Sequence, residues 1–119
     1  MIQRINKESD LMLSLILRDK NGTPYRIGDL MEFIMIFYTS NPDNHIEVSY
    51  KDGEYKGITV QDDNDFIALN SSDIKRLDDG NINYQYHIRY KNDSFNDGFF
   101  DEVISGQTDL YLKSNKYNG

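Results

Sequence analysis

Ile82-Asn83-Tyr84-Gln85-Tyr86-His87-Ile88-Arg89-Tyr90 decides the fold class of this chain. Ile82, Tyr84, Tyr86, Ile88 and Tyr90 share one face, while Asn83, Gln85, His87 and Arg89 share the other. That period of two belongs to a half-buried β-strand. The residues just before it change period. Ser71 or Ser72 can cap a helical turn, Ile74 and Leu77 sit three apart, and Gly80 suits an exit with positive φ.

Working outward, Leu11, Leu13, Leu15 and Leu17 alternate onto one face of Leu11–Arg18, and Asp19-Lys20-Asn21-Gly22 reads as a turn. Phe33-Ile34-Met35-Ile36-Phe37-Tyr38 is a second strand, ended by Ser40-Asn41-Pro42-Asp43-Asn44. A helix over 29–38 is the rival reading, since Met31, Ile34 and Phe37 are three apart. Crowding by β-branched and aromatic side chains, with no C-terminal cap, favours the strand. Ile46, Val48 and Tyr50 alternate in a third strand, and Asp52-Gly53 closes a turn towards Tyr55, Ile58 and Val60, as in a meander. After the polar loop Gln61-Asp62-Asp63-Asn64-Asp65 comes the short strand Phe66–Leu69. Asn92–Gly98 forms a hairpin loop into Phe99–Ile104, and a last strand follows Gly106 through Leu112.

The sum is an all-β domain, an immunoglobulin-like antiparallel β-sandwich of about seven or eight strands with one short helical turn. The corner Leu77-Asp78-Asp79-Gly80-Asn81-Ile82-Asn83-Tyr84 is what points to the immunoglobulin-like version: a helical turn, an acidic-Gly bend, then a Tyr entering a strand. Residues 1–113 are expected to form the sandwich and residues 114–119 a flexible tail.

At 119 residues the chain is long enough to bury a core without staples, and with no Cys it has neither disulfides nor a thiolate metal site. The start of the sequence lacks an apolar signal segment, and no apolar run approaches the roughly 18 residues of a membrane span. A soluble protein made in a cytoplasm, with no membrane partner, is the expectation. The net charge of −7 repels phosphate backbones, and no Lys/Arg block offsets it, so nucleic acid is not an expected partner.

Catalytic chemistry finds few residues. His45 and His87 are the only histidines, and no Ser sits in a nucleophile turn. His87 shares its face with Asn83, Gln85 and Arg89, which suggests a solvated side chain. Asp62-Asp63-Asn64-Asp65 and Asp93–Gly98 offer oxygens to a hard cation, but neither has EF-hand spacing: counting from Asp93 puts Phe95 third and Ile104 twelfth. Asp101 and Glu102 are adjacent in an extended segment and point apart. Gly residues occur singly, without a nucleotide-binding fingerprint, so no cofactor is implied. The expectation is a protein that is not an enzyme.

One feature exceeds what an isolated sandwich needs. Phe33–Tyr38 is apolar on both faces, whereas a two-layer strand needs only one. If Phe33, Met35 and Phe37 fill the core, then Ile34, Ile36 and Tyr38 face outwards as a candidate protein interface; the opposite parity and a covering segment of the same chain are the alternatives.

The stretch from Ile5-Asn6-Lys7-Glu8 through Leu11–Arg18 to Asp19-Lys20-Asn21-Gly22-Thr23-Pro24 resembles the opening of phage baseplate upper protein N-terminal domains, and small structural proteins of crAss-like Bacteroides phages. In those domains the first long strand ends in an Asp-x-x-Gly-x-Pro turn. A Gly corner precedes a strand of Tyr and Ile, matched here by Gly80–Ile88. Asp97-Gly98-Phe99-Phe100-Asp101-Glu102-Val103-Ile104-Ser105-Gly106-Gln107-Thr108 is similar to the closing hairpin. Baseplate upper proteins continue into receptor-binding or fibre-attachment regions, and the likeness here is to their N-terminal domain alone. The resemblance implies an accessory structural protein of a bacteriophage virion: an auxiliary capsid protein, a fibre anchor, or a tail or baseplate adaptor. Its partners would be other virion proteins, or further copies of itself in a homo-oligomer. A carbohydrate-binding module for surface polysaccharide, using Tyr side chains as its platform, is the alternative.

Overall fold

A computed structural model describes residues 2–114. The chain is an all-β sandwich, with eleven strand segments among the described residues: β1 Gln3–Asn6, β2 Leu11–Leu15, β3 Leu17–Arg18, β4 Pro24–Tyr25, β5 Glu32–Tyr38, β6 Ile46–Lys51, β7 Glu54–Lys56, β8 Ile58–Gln61, β9 Asn64–Leu69, β10 Gly80–Lys91 and β11 Phe99–Lys113. A six-stranded sheet in the order β1-β11-β10-β5-β6-β7 faces a three-stranded sheet β2-β9-β8, and β3-β4 form a small ribbon. All pairs are antiparallel except β1 with β11, which run parallel from Gln3 opposite Leu110 to Asn6 opposite Lys113.

Side-chain parity follows from one core. Phe33, Met35 and Phe37 of β5, Ile46 and Val48 of β6, and Ile82 and Ile88 of β10 are buried against Ile58, Ile67 and Leu69 of the small sheet. Leu11, Leu13, Leu15 and Leu17 point inward as the alternation requires. The run nevertheless divides at the exposed Ile16, because β2 pairs with β9 while β3 pairs with β4.

Several boundaries differ from the sequence expectation. The meander stops at Gly57, whose φ of 72° turns the chain out of the large sheet, so β8 joins β9 in the small one. A Cβ at Gly57 would lie 2.5 Å from Val48 Cγ1, so the corner needs a glycine on two counts. The expected polar loop at 61–65 is a two-residue hairpin turn, with Asp62 and Asp63 both at positive φ, and Asp65 already belongs to β9. Gly106 does not separate two strands: β11 runs through it, and the ring of Tyr84, its partner on β10, occupies the space a side chain would need. Tyr84 therefore covers this glycine. The short helix α1, Ser71–Ile74, has Asn70 rather than a serine at its N-cap, and Asp10 accepts a 2.7 Å hydrogen bond from the Ser71 N–H. A second helical turn, Ile27–Asp29, was not expected.

Asp65 explains that second turn. Its side chain is only 3% exposed, on the core face of β9, and a carboxylate there is costly unless paired. Arg26 donates to it twice, from Nε at 3.1 Å and Nη2 at 2.7 Å, and the Ile27 N–H donates at 3.0 Å. Burial alone would raise the Asp65 pKa. The hydrogen bonds from Arg26 and Ile27 and the Arg26 charge outweigh it and hold the carboxyl below its ordinary 3.8. The loop Arg26–Asp29 is thereby fastened to the small sheet.

At the other end, Asp79 accepts from Ser114 N (3.1 Å), Ser114 Oγ (2.6 Å) and Lys7 Nζ (3.3 Å), so the described end of the chain is tied down. Residues 115–119 of the expected tail lie outside the described residues.

Changing Asp65 to Ala leaves the Ile27 N–H without its acceptor and should cost about 2 kcal/mol in denaturant unfolding. Because the folded-state pKa is depressed, the stabilisation is complete above about pH 4 and lost as pH falls through the lower folded value. The variant should show a flatter acid limb of stability against pH; equal acid sensitivity would contradict this account.

Candidate functional site

Three surfaces carry the side chains available to another molecule. The first is the outer face of the six-stranded sheet. Phe33, Met35 and Phe37 take the core side of β5, so Ile34, Ile36 and Tyr38 lie on the outer side, each half-buried. The structure thus sets the parity that the sequence left open. Ile34 stands between His87 and Ser49, Ile36 between Gln85 and Glu47, and Tyr38 beside Asn83. Polar neighbours partly screen this apolar stripe without covering it.

Across the same face runs a row of alternating charge: Asp101, Arg89, Glu32, Lys51 and Glu54 on five consecutive strands. Arg89 Nε to Asp101 and Lys51 Nζ to Glu32 are each 3.9 Å, long contacts that contribute little at a solvated surface. His87 was expected to be simply solvated. Its Nε2 instead lies 2.9 Å from Asp101 Oδ1, and the Arg89 guanidinium stacks 4.2 Å over Phe99.

The second surface is the border of β11 that is free among the described residues. β10 covers one side of Phe99–Gln107, and β1 reaches the other side only from Leu110 onward. Asp101 projects to the outer face with His87 and Arg89, whereas Glu102 lies near Tyr25 and Tyr86. The two adjacent carboxylates therefore do point apart.

The third surface is a groove of about 950 Å³ between the β10–β11 hairpin end and the β3–β4 ribbon. Tyr25 from β4, Tyr90 from β10, Phe100 and Ile104 from β11 and the loop residue Phe95 provide apolar wall, and Asp19, Asp29, Asn92 and Glu102 add polar atoms. Tyr90 and Phe100 rings are 5.0 Å apart, and Phe100 to Phe95 is 5.6 Å. Burial, then the charges or phenols of Tyr86, Glu102, Tyr90 and Asp19, push the Tyr25 pKa up to about 12. Its phenol keeps its proton at neutral pH and offers a hydrogen-bond donor. Sequence reading put Tyr84, Tyr86 and Tyr90 on one face with Ile82 and Ile88, and that face does pack against the core. It missed that Tyr90 also reaches the groove. The cluster of Phe95, Phe99 and Phe100 around one hairpin loop was the available signal.

Among the described residues, no three His, Asp or Glu side chains converge as metal ligands, and no helix is long and apolar enough to cross a membrane. His45 Nδ1 contacts the Pro42 carbonyl oxygen at 2.6 Å. In comparison with known proteins, no family model matches this chain, and neither a curated protein nor a solved structure matches it.

Ultraviolet titration should show one phenol ionising near pH 12, and Tyr25→Phe should remove that step. Since folding favours the protonated phenol, its contribution to stability is present below about pH 10 and lost as pH rises towards 12. Retention of the late step in the variant would refute the burial assigned to Tyr25.

Proposed function

We propose that this chain is an accessory structural protein of a bacteriophage virion that acts by docking onto other virion proteins. The observation that carries the docking half of this reading is the outer sheet face, where Ile34, Ile36 and Tyr38 form an apolar stripe larger than the core requires. A sheet offers rigid shape and a repeating row of side chains, which suit surface complementarity rather than turnover. The virion half rests on the likeness to baseplate upper protein N-terminal domains described above. An auxiliary capsid subunit, a fibre anchor and a tail or baseplate adaptor would each use the module in the same way. Its place would then be the virion, after synthesis in the host cytoplasm.

The groove favours a second reading, a carbohydrate-binding module for surface polysaccharide. Exposed aromatic faces beside carboxylate and amide groups are what sugar rings stack on and hydrogen-bond to, and Phe95 and Tyr90 lie beside Asn92 and Glu102.

Proteomics of purified virions should find the chain at fixed stoichiometry. Ile34→Lys with Ile36→Lys should fold normally yet lose cross-links to virion proteins by tenfold or more. A wild-type chain absent from virions, or a double variant that assembles as well as wild type, would defeat the docking reading. On glycan arrays, the carbohydrate reading expects binding that Phe95→Ala weakens by about tenfold, near 1.4 kcal/mol; absence of binding to any polysaccharide removes it.

A further inference from the structure

The border of β11 left unpaired among the described residues is long and regular, and its guarding charges are Asp101 on the outer face and the inward-facing Glu102. Natural edges are kept short, bulged, or interrupted by Pro or Lys, because exposed backbone groups otherwise recruit another strand. Phe99-Phe100-Asp101-Glu102-Val103-Ile104-Ser105-Gly106-Gln107 contains neither Pro nor Lys. It is laddered to β10 in unbroken register over all nine residues, and the only irregularity comes after Gln107. Val103, on the outer face of this stretch, is 58% exposed.

We propose that this border pairs antiparallel with the same border of a second copy, with Val103 on the two-fold axis. Antiparallel partners share a face, so every symmetric register is centred on a residue. Charge then selects among the centres. Centring on Asp101 or Glu102 sets a carboxylate against its own copy, and centring on Ser105 sets Asp101 against Asp109; like charges directly opposite destabilise a pair. Centring on Ile104 draws Thr108 and Asp109 into the pairing, and these follow the end of the regular ladder.

The Val103 centre uses the whole regular stretch and brings no two charges opposite. Phe99 meets Gln107, Phe100 meets Gly106, Asp101 meets Ser105, Glu102 meets Ile104, and the two Val103 side chains bury each other. Phe100 would meet Gly106 on the face that the Tyr84 ring already covers, so its ring would pack against Tyr84. The remaining repulsion is diagonal, between the two Glu102 carboxylates, at roughly 7–8 Å. Two six-stranded sheets would join into one continuous sheet, with the Ile34, Ile36 and Tyr38 stripes of both copies on the same side. This inference is independent of the virion and carbohydrate readings, since it concerns the chain with itself.

Light scattering after size exclusion tests it on the full chain. From about 5 µM to about 500 µM, the range of weak specific association, the mass should climb from 13.9 kDa to twice that value. Val103→Lys puts two like charges face to face at an already exposed position, so it should keep its circular dichroism and remain at 13.9 kDa. Glu102→Gln should move the midpoint several-fold lower in concentration, as should added salt. The chain has no Cys, so Val103→Cys supplies a single thiol, expected to oxidise to a covalent dimer faster than Gln107→Cys. Wild type that stays monomeric at 500 µM, a Val103→Lys variant that dimerises as wild type does, or faster cross-linking through Gln107→Cys would each overturn the proposal.

Discussion

The pairing of β10 on both of its sides is the constraint on which the rest of the molecule depends. β5 lies along one side from Asn83 to Arg89, and β11 along the other from Gly80 to Lys91. With Ile82 and Ile88 directed into the core, a one-residue slip would send every inward side chain of β10 to solvent. The registers of β5 and β11 are therefore set by the burial of β10. Through β5 that order reaches β6 and β7, so parity at Val48 and Tyr50 derives from the same strand.

The large sheet outgrows its partner layer. Three strands, β2, β9 and β8, with the β3–β4 ribbon, cover a sheet of six. The mismatch accounts for what remains open. Towards the hairpin end of β10 and β11 the inner face is only partly roofed, which leaves the groove lined by Tyr25, Tyr90 and Phe100. The border of β11 is not capped because β1 is only four residues long. Both openings arise from one difference in strand number and length. Neither is a local defect, because Tyr25, Tyr90 and Phe100 are all packed or paired within the sandwich.

Polar groups close the places where apolar burial is thin. Asp65 sits at the end of the inner row that begins with Leu69 and Ile67, where another apolar side chain would be the simple choice. Its bonds to Arg26 and Ile27 join the loop before β5 to the small sheet, and such directional bonds specify one arrangement better than another methyl group would. Asp79 does comparable work where Lys7 and Ser114 meet, near the parallel β1–β11 pair.

The alternation of Ile82–Tyr90, of Leu11–Leu17 and of Ile46–Tyr50 was enough to determine an all-β sandwich and most of its strands, because a period of two is a local property of the chain. The turn at Asp52-Gly53 was equally legible, its residues being those that accept positive φ. Other features required the tertiary structure. The inward face of Phe33–Tyr38 could not be chosen from a run apolar on both sides; the neighbouring β6 and β10 and the small sheet chose it. Gly106 looked like a break, yet it continues β11 because Tyr84 fills the space beside it. Asp65 looked like loop polarity until Arg26, thirty-nine residues away, made its burial affordable. The groove and the free border of β11 were likewise decided only by the fold, since each depends on which strands meet and where the shorter ones end, and no single stretch of sequence contains that information.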